Sequence, residues 1–231
     1  GAIGAALSSI AENGAQNAEQ DVGEWGGTVS AGTASAWTGH GTAVLRNEPL
    51  SPPADVSLDE LLASCHASAD VGAFYAGFER RGLEFGDAFK SIRQLRVGIS
   101  EAAGEIELEP SLHREAASYG LHPVLLDGCL QVIAAALGDE EEKLYLPIGI
   151  GGYALYRRAA FRCWSHVKVR AGTGDTRTAD VRILDAEGRA IAELLELQLK
   201  RVSRDALARL DGHWLDECCY ETRWLRADAT S

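Results

Sequence analysis

The chain of 231 residues contains no methionine, and none of its apolar runs approaches the roughly 20 residues that a membrane helix needs. The N-terminal residues also lack the charged and apolar regions of a signal peptide. These absences predict a cytoplasmic protein without a membrane segment. Because the chain begins at Gly1 rather than at an initiator methionine, we expect it to be a piece of a longer polypeptide.

Basic residues are also scarce, since 22 Lys and Arg stand against 34 Asp and Glu and leave a formal net charge of −12. A protein that binds nucleic acid needs a basic patch to contact phosphates, so we exclude that class of function. The five cysteines show no C-x-x-C spacing, which argues against a disulfide framework and against a zinc site. Cys129 and Cys163 are expected to be small core residues of a reducing compartment.

Several motifs that identify common enzyme classes are missing as well. The sequence contains no G-x-G-x-x-G, no P-loop, no H-E-x-x-H and no G-x-S-x-G. The six histidines, at positions 40, 66, 113, 122, 166 and 213, show none of the spacings of metal ligands. We therefore predict no metal site.

The most informative stretch is Gly-Leu-His-Pro-Val-Leu-Leu-Asp-Gly-Cys-Leu-Gln-Val-Ile-Ala-Ala-Ala-Leu-Gly, residues 120–138, which predicts a helix over about 122–138. Pro123 suits the first helical position and Gly138 suits the position after the last turn. His122 is expected to have a structural role with Pro123 at the helix entry. The apolar residues repeat at helical spacing, so we expect the helix to be buried. The predicted stripe consists of Leu126, Leu130, Ile133 and Leu137.

Two polar residues interrupt this apolar helix. Asp127 and Gln131 lie four residues apart, so they share one helix face. A carboxyl group in the opening turns of a buried helix must be paired, reached by solvent through a cleft, or protonated. Such a group can act as a general acid near neutral pH, with Gln131 orienting it. The alternative is that Asp127 only fixes the preceding loop and Gln131 only satisfies backbone groups.

Strand patterns flank this helix on both sides, and a second helix is predicted over Val71–Arg81 with Asp70 as its N-cap. This order of elements indicates an α+β fold in which an antiparallel sheet wraps around a long central helix, the arrangement called a hotdog. The predicted strands are 37–45, 90–96, 104–108, 144–156, 161–170, 179–184 and 190–202.

Three segments, in the right order, resemble motifs of the dehydratase domains of modular polyketide synthases. His122-Pro-Val-Leu-Leu-Asp127-Gly-Cys-Leu-Gln131 resembles H-P-x-x-L-D-x-x-x-Q/H. Residues 75–89 resemble Y-x-x-(F/L)-x-x-x-G-x-x-Y-G-P-x-F, and Leu146-Pro147 resembles the L-P-F strand. Residues 37–43 and 220–224 add weaker similarities to the end of the N-terminal hotdog and to the passage into the next domain.

In this family two hotdogs lie side by side in one chain. The resemblance implies a β-hydroxyacyl chain carried on the phosphopantetheine of an acyl carrier protein, with no other cofactor. A histidine of the N-terminal hotdog removes the α-proton, and an aspartic acid of the second protonates the departing hydroxyl group, which leaves an enoyl thioester and water. By position, Asp127 is that acid and Gln131 its partner. The substrate-binding residues implied by the resemblance are Tyr75, Phe85, Gly86, Phe89, Leu146 and Pro147.

The chain departs from the family pattern where the base is expected. No histidine fits H-x-x-x-G-x-x-x-x-P, because His40 has Val44 where the motif has glycine. Asp87 also replaces the proline of the second motif, and Phe85 replaces its tyrosine. The retained Asp127 nevertheless implies a hydro-lyase ancestry.

The resemblance also sets the expected domain layout and the alternatives for function. Residues 1–55 are expected to be a remnant of the N-terminal hotdog with a linker, 56–203 the C-terminal hotdog, and 204–231 a linker after the domain. The implied partners are an acyl carrier protein, neighbouring synthase domains and a second copy in a homodimer. An inactive pseudo-dehydratase that serves as a scaffold remains an alternative, as does an isomerase or a pyran-forming cyclase on the same fold.

Overall fold

The structure is a computed structural model that describes residues 24–33, 36–46, 50–138, 144–170, 172 and 174–202. The predictions made for 204–231, including the passage at 220–224, lie outside the described residues. The helices of the described ranges are α1 Leu58–Ser64, α2 Val71–Arg80, α3 His113–Ala116 and α4 Pro123–Leu137. The strands are β1 Glu24–Thr33, β2 Ala36–Arg46, β3 Ala67–Ser68, β4 Ile92–Val97, β5 Glu101–Glu107, β6 Leu144–Gly149, β7 Gly152–Leu155, β8 Arg162–Arg170, β9 Thr176–Leu184 and β10 Ala190–Val202.

Eight of these strands form one antiparallel sheet in the order β3-β4-β5-β8-β9-β10-β6, with β7 also pairing with β10. Strands from before and after the central helix meet where β5 pairs with β8, from Glu101 opposite Lys168 to Glu107 opposite Arg162. Helix α4 packs against β4, β5, β8 and β9. This arrangement confirms the predicted hotdog. The remaining strands, β1 and β2, pair with each other in a separate hairpin.

Helix α4 begins and ends close to the predicted positions. Pro123 occupies its first position, the Nδ1 atom of His122 accepts a hydrogen bond from the N–H of Val124 at 3.2 Å, and Gly138 follows with a φ of 80°. The predicted stripe of leucine and isoleucine residues was too narrow, because the helix is buried around most of its circumference. Most of the half-buried residues instead form one face, composed of Pro123, Asp127, Leu130, Ala134 and Leu137, and Ala135 lies beside it.

Two glycines allow the central helix to lie close to the sheet. A Cβ atom built on Gly128 would lie 2.4 Å from the Oγ atom of Ser91 and 2.9 Å from a methyl carbon of Ile106. A Cβ atom on Gly104 of β5 would lie 2.6 Å from a methyl carbon of Val132. Because contacts this short are forbidden, any larger residue would push the helix away from the strands.

The register of β10 differs from the sequence-based prediction, which placed Ile191, Leu195, Leu197 and Leu199 on one face. Leu195 is 45% exposed, whereas the other three are buried. The pairing with β9 shifts between Leu194 and Leu197, and Glu196 has a φ of 53°. This β-bulge adds a residue to the strand, so the alternation changes sides at that point.

The outer face of the sheet is partly covered by a second apolar cluster. Leu61 of α1 packs there with residues from β5, β8, β9 and β10. Its other buried members are Cys65, Ala103, Trp164, Leu184 and Ala190. None of the helices in the described ranges is long and apolar enough to cross a membrane.

Candidate active site

The site begins with helix α2, which carries a tyrosine on its buried face. The Oδ1 atom of Asp70 caps this helix by accepting a hydrogen bond from the N–H of Ala73 at 2.6 Å. The ring of Tyr75 makes edge-to-face contacts with Phe74 and Phe85, at centroid distances of 5.6 Å and 6.0 Å. These contacts fix the position of the Tyr75 ring and direct its hydroxyl group towards α4.

A chain of hydrogen bonds leads from this hydroxyl group to the carboxyl group on the central helix. The N–H of Ile92 donates to the Tyr75 oxygen at 3.2 Å, and the Tyr75 hydroxyl group donates to Oε1 of Gln131 at 2.9 Å. The Nε2 group of Gln131 then donates to Oδ2 of Asp127 at 2.8 Å and to the carbonyl oxygen of Phe89 at 3.0 Å. We call these three side chains the Tyr75–Gln131–Asp127 network.

The members of this network differ in how far they are buried. Tyr75 and Gln131 are only 7% and 6% exposed, whereas Asp127 is half-buried on the open face of α4. Burial raises the pKa of the Tyr75 hydroxyl group, and the hydrogen bond from Ile92 offsets only part of this effect. The Tyr75 hydroxyl group therefore stays protonated and can donate a hydrogen bond to Gln131. The result is a carboxyl group at the boundary of the core, with an oriented amide behind it.

The structure places His122 and Pro123 at the entry of α4, five and four residues before the carboxyl group. His122 is 4% exposed, and besides capping the helix it lies with its Nε2 atom 3.1 Å from Oε1 of Glu115. Its ring also meets the ring of Tyr119 at a centroid distance of 5.0 Å. Both ring nitrogens are thus engaged in holding the loop against the helix.

Two other histidines of the described ranges are engaged elsewhere. His113 stacks on the ring of Phe161 at 3.8 Å. His166 pairs with Glu101 at 2.5 Å on the outer face of the sheet, the face opposite to α4. His40 belongs to β2, in the separate hairpin. The part of the chain that the structure describes contains no group of three or more His, Cys, Asp or Glu side chains that could hold a metal ion.

The other predicted site residues fall into two groups. Phe85 packs on Tyr75, and Phe89 supplies the carbonyl oxygen that binds Gln131, while the exposed Gly86 lies between them. Leu146 and Pro147 lie on β6, where they pair with residues 199–200 of β10. Their contact with an acyl chain stays a prediction.

Sequence reasoning missed the role of Tyr75 in the network and the environment of Ser91. The Oγ atom of Ser91 is the one buried side-chain N or O atom of the described ranges that has no hydrogen-bond partner. The neighbouring thiols of Cys129 and Cys163 lie 3.7 Å apart in the core, and burial raises the pKa of the Cys129 thiol. These relationships join residues that are far apart in sequence, so no local pattern could indicate them.

An antiparallel sheet around a helix that carries a half-buried carboxyl group, hydrogen-bonded to a side-chain amide, defines a hotdog domain with a candidate general acid. The family model for the polyketide synthase dehydratase N-terminal domain matches residues 53–209. The chain therefore belongs to the polyketide synthase dehydratase family.

Similar proteins are parts of much larger synthases. The chain is 29% identical over 174 residues to polyketide synthase ThaG of Burkholderia thailandensis, an alignment that covers 71% of this chain and 3% of ThaG. It is 32% identical over 162 residues to a mycocerosic acid synthase-like polyketide synthase of Mycobacterium tuberculosis, with 65% of this chain and 7% of that synthase covered.

Solved dehydratase domains share the fold. The dehydratase of the CurK module of the curacin polyketide synthase matches with a TM-score of 0.70 and 27% identity, over 80% of this chain and 64% of that domain. Two further CurK structures are described as inactive mutants, one with Asp replaced by Asn and one with His replaced by Phe. The chain thus spans 64% of these solved domains and a few per cent of the curated synthases.

Proposed function

We propose that this chain supplies the acid half of a β-hydroxyacyl dehydratase site in a polyketide synthase. The observation that carries the proposal is the 2.8 Å hydrogen bond by which the Gln131 amide holds the carboxyl group of Asp127 at the open face of α4. The CurK dehydratase mutant in which an Asp is replaced by Asn is described as inactive, which supports an essential acid in this family.

The proposed chemistry is the elimination of water. A base removes the α-proton of a β-hydroxyacyl thioester, the electron pair forms the Cα–Cβ double bond, and the C–O bond to the hydroxyl group breaks. Hydroxide is a poor leaving group, so the oxygen must receive a proton as it departs. Asp127 donates this proton, and the N–H of Gln131 stabilises the carboxylate that remains.

We propose that the substrate arrives on the phosphopantetheine arm of an acyl carrier protein and that the site uses no metal ion or other cofactor. Two observations support this setting: the relatives are named polyketide synthases, and the matched region makes up only 3% and 7% of their length. We propose the same neighbours, a cytoplasmic location and pairing with a second copy for this chain. In this proposal residues 56–203 are the C-terminal hotdog of a double hotdog.

A second candidate is an inactive domain retained as a scaffold. One observation favours it: His113, His122 and His166 are each engaged in contacts away from Asp127, while the elimination also requires a base. If the chain proves active, His40 on β2 is the candidate base, and its replacement tests that role.

The deciding experiment is a single-turnover assay in which a β-hydroxyacyl carrier protein is mixed with the chain and the loss of water is followed by mass spectrometry. Asp127→Asn should lower the rate constant by about 10²–10⁴-fold, the usual contribution of a general acid. Asp59→Asn is the matched control, because it makes the same change at an exposed position in the first turn of α1. If the folded wild-type chain releases no water from the substrate, the result favours the inactive scaffold domain. If Asp127→Asn keeps the wild-type rate, Asp127 is not the acid.

A further inference from the structure

We propose that Tyr75 is a positioning residue, whose hydroxyl group orients the Gln131 amide and thereby the carboxyl group of Asp127. The inference rests on the acid role proposed for Asp127. It replaces the role in the substrate tunnel that the sequence resemblance implies for Tyr75. It concerns a residue on another helix, 56 positions from Gln131 along the chain.

The direction of the first hydrogen bond follows from the groups that surround the tyrosine oxygen. A tyrosine hydroxyl group has one proton to donate. Its oxygen already accepts the N–H of Ile92 at 3.2 Å, so the proton is directed to Oε1 of Gln131, 2.9 Å away. Because Ile92 is 2% exposed, water does not compete for these positions.

This bond determines which end of the amide faces Asp127. With Oε1 turned to Tyr75, the two protons on Nε2 point to Oδ2 of Asp127 and to the carbonyl oxygen of Phe89. The reversed amide would bring its oxygen to 2.8 Å and 3.0 Å from two other acceptors and would leave the proton of Tyr75 without a partner. An unpaired buried donor is costly, so the network supports one orientation.

Tyr75 can hold the Gln131 amide in this orientation because its own position is fixed. Its ring packs among Phe74 and Phe85, and its helix is capped by Asp70. Gln131 is 6% exposed, so its amide is shielded from solvent. Tyr75 thus links α2 to the carboxyl group of Asp127 on α4 through Gln131. We expect it to affect the rate of proton donation rather than the binding of the acyl chain.

The test compares Tyr75→Phe with Tyr156→Phe in the single-turnover assay. Tyr156 makes a matched control, since its hydroxyl group donates to Oε2 of Glu193 at 2.8 Å on the other side of the sheet. We expect Tyr75→Phe to lower the maximal rate constant roughly tenfold, as the loss of one well-placed hydrogen bond does, with less than a twofold change in the half-saturating concentration of carrier protein. Tyr156→Phe should retain the wild-type rate.

A double-mutant cycle tests whether Tyr75 acts through Gln131. In the Gln131→Ala background, Tyr75→Phe should not lower the maximal rate constant further, because the amide through which Tyr75 acts is already absent. Additive losses, or a higher half-saturating concentration at an unchanged maximal rate, would show that Tyr75 contacts the substrate directly and would overturn the proposal.

A second measurement does not depend on activity, so it separates this proposal from the proposed function. The side-chain amide signals of Gln131 in ¹⁵N NMR spectra are identified by their absence in Gln131→Ala. They should shift and exchange faster with water in Tyr75→Phe but not in Tyr156→Phe. Unchanged signals would refute the positioning role, even if the wild-type chain does not dehydrate its substrate.

The wild-type protein provides a third measurement if Tyr75→Phe fails to fold. The hydroxyl proton of Tyr75 should exchange slowly and show a nuclear Overhauser contact with the Gln131 side chain. Its absence in a folded sample would also overturn the proposal.

Discussion

Ser91 and Gly128 lie against each other where the chain enters β4 beneath the central helix, and a Cβ atom on Gly128 would come within 2.4 Å of Ser91 Oγ. The same Cβ atom would meet Ile106 of β5 at 2.9 Å. The first turns of α4, which carry Asp127, are therefore held at the smallest distance from the sheet that a backbone allows.

Gly128→Ala should destabilise the protein by about 1 kcal/mol net. Overpacking that pushes the helix away from Ser91 and Ile106 costs about 1–3 kcal/mol, and alanine recovers roughly 1 kcal/mol of this through its helix propensity. Urea unfolding followed by circular dichroism measures the difference. Gly77→Ala, in α2, is the matched control: its Cβ atom would approach the guanidinium end of the long Arg81 side chain, at 2.9 Å, rather than a packed core residue, so the loss of stability should be smaller. Equal stability of Gly128→Ala and wild type would contradict the close approach.

Two serine-to-alanine changes should have opposite effects on stability. Ser91→Ala removes a buried hydroxyl group that has no partner in the described ranges, so the free energy of unfolding should stay the same or rise by about 1 kcal/mol. Ser165→Ala removes the donor of a buried 2.9 Å hydrogen bond to the carbonyl oxygen of Cys129, and it should cost about 0.5–1.5 kcal/mol, the usual net contribution of one hydrogen bond. The pair is compared by thermal and urea unfolding. A clear loss of stability in Ser91→Ala would indicate that its hydroxyl group has a partner after all.

Asp185 should contribute to the loss of stability in acid. Burial raises the pKa of its carboxyl group, but hydrogen bonds from the backbone N–H and guanidinium of Arg189 and from the N–H of Glu187 outweigh burial and hold the pKa below its usual 3.8. A lowered pKa in the folded state stabilises the protein above pH 3.8, and this contribution disappears as the pH falls through the folded-state pKa.

Asp185→Asn should therefore be less stable than wild type at neutral pH, and the two proteins should converge as the pH falls below 3.8. The melting temperature of both proteins, recorded across this range, measures the effect. A constant difference between them at every pH would mean that the carboxylate charge at this turn does not contribute.

The sequence predicted the central helix well because both of its ends carry local information, a proline at 123 and a glycine at 138. The pairing of Asp127 with Gln131 was also predictable, since four residues make one helical turn. Strand β1 was missed, because Glu24–Thr33 is rich in glycine, alanine and serine and resembles a loop. The bulge at Glu196 was missed for a different reason, since no glycine marks its positive φ.

The link between Tyr75 and Gln131 could not have been predicted from spacing. The sequence places Tyr75 on the same helix face as Phe78, a pattern that indicates a core residue and nothing about its hydroxyl group. Its partner is fixed only when α2, β4 and α4 pack together, so the contact depends on the whole fold.

The pairing of β5 with β8 has a consequence for biosynthesis. Helix α4 rests on strands that precede it and on strands that are made later, so no continuous segment on one side of it can enclose it. During translation the apolar helix leaves the ribosome well before β8 does, and it stays without its full cover until residues 162–170 have emerged. The nascent chain thus exposes an aggregation-prone surface for that interval, during which we expect it to recruit general chaperones.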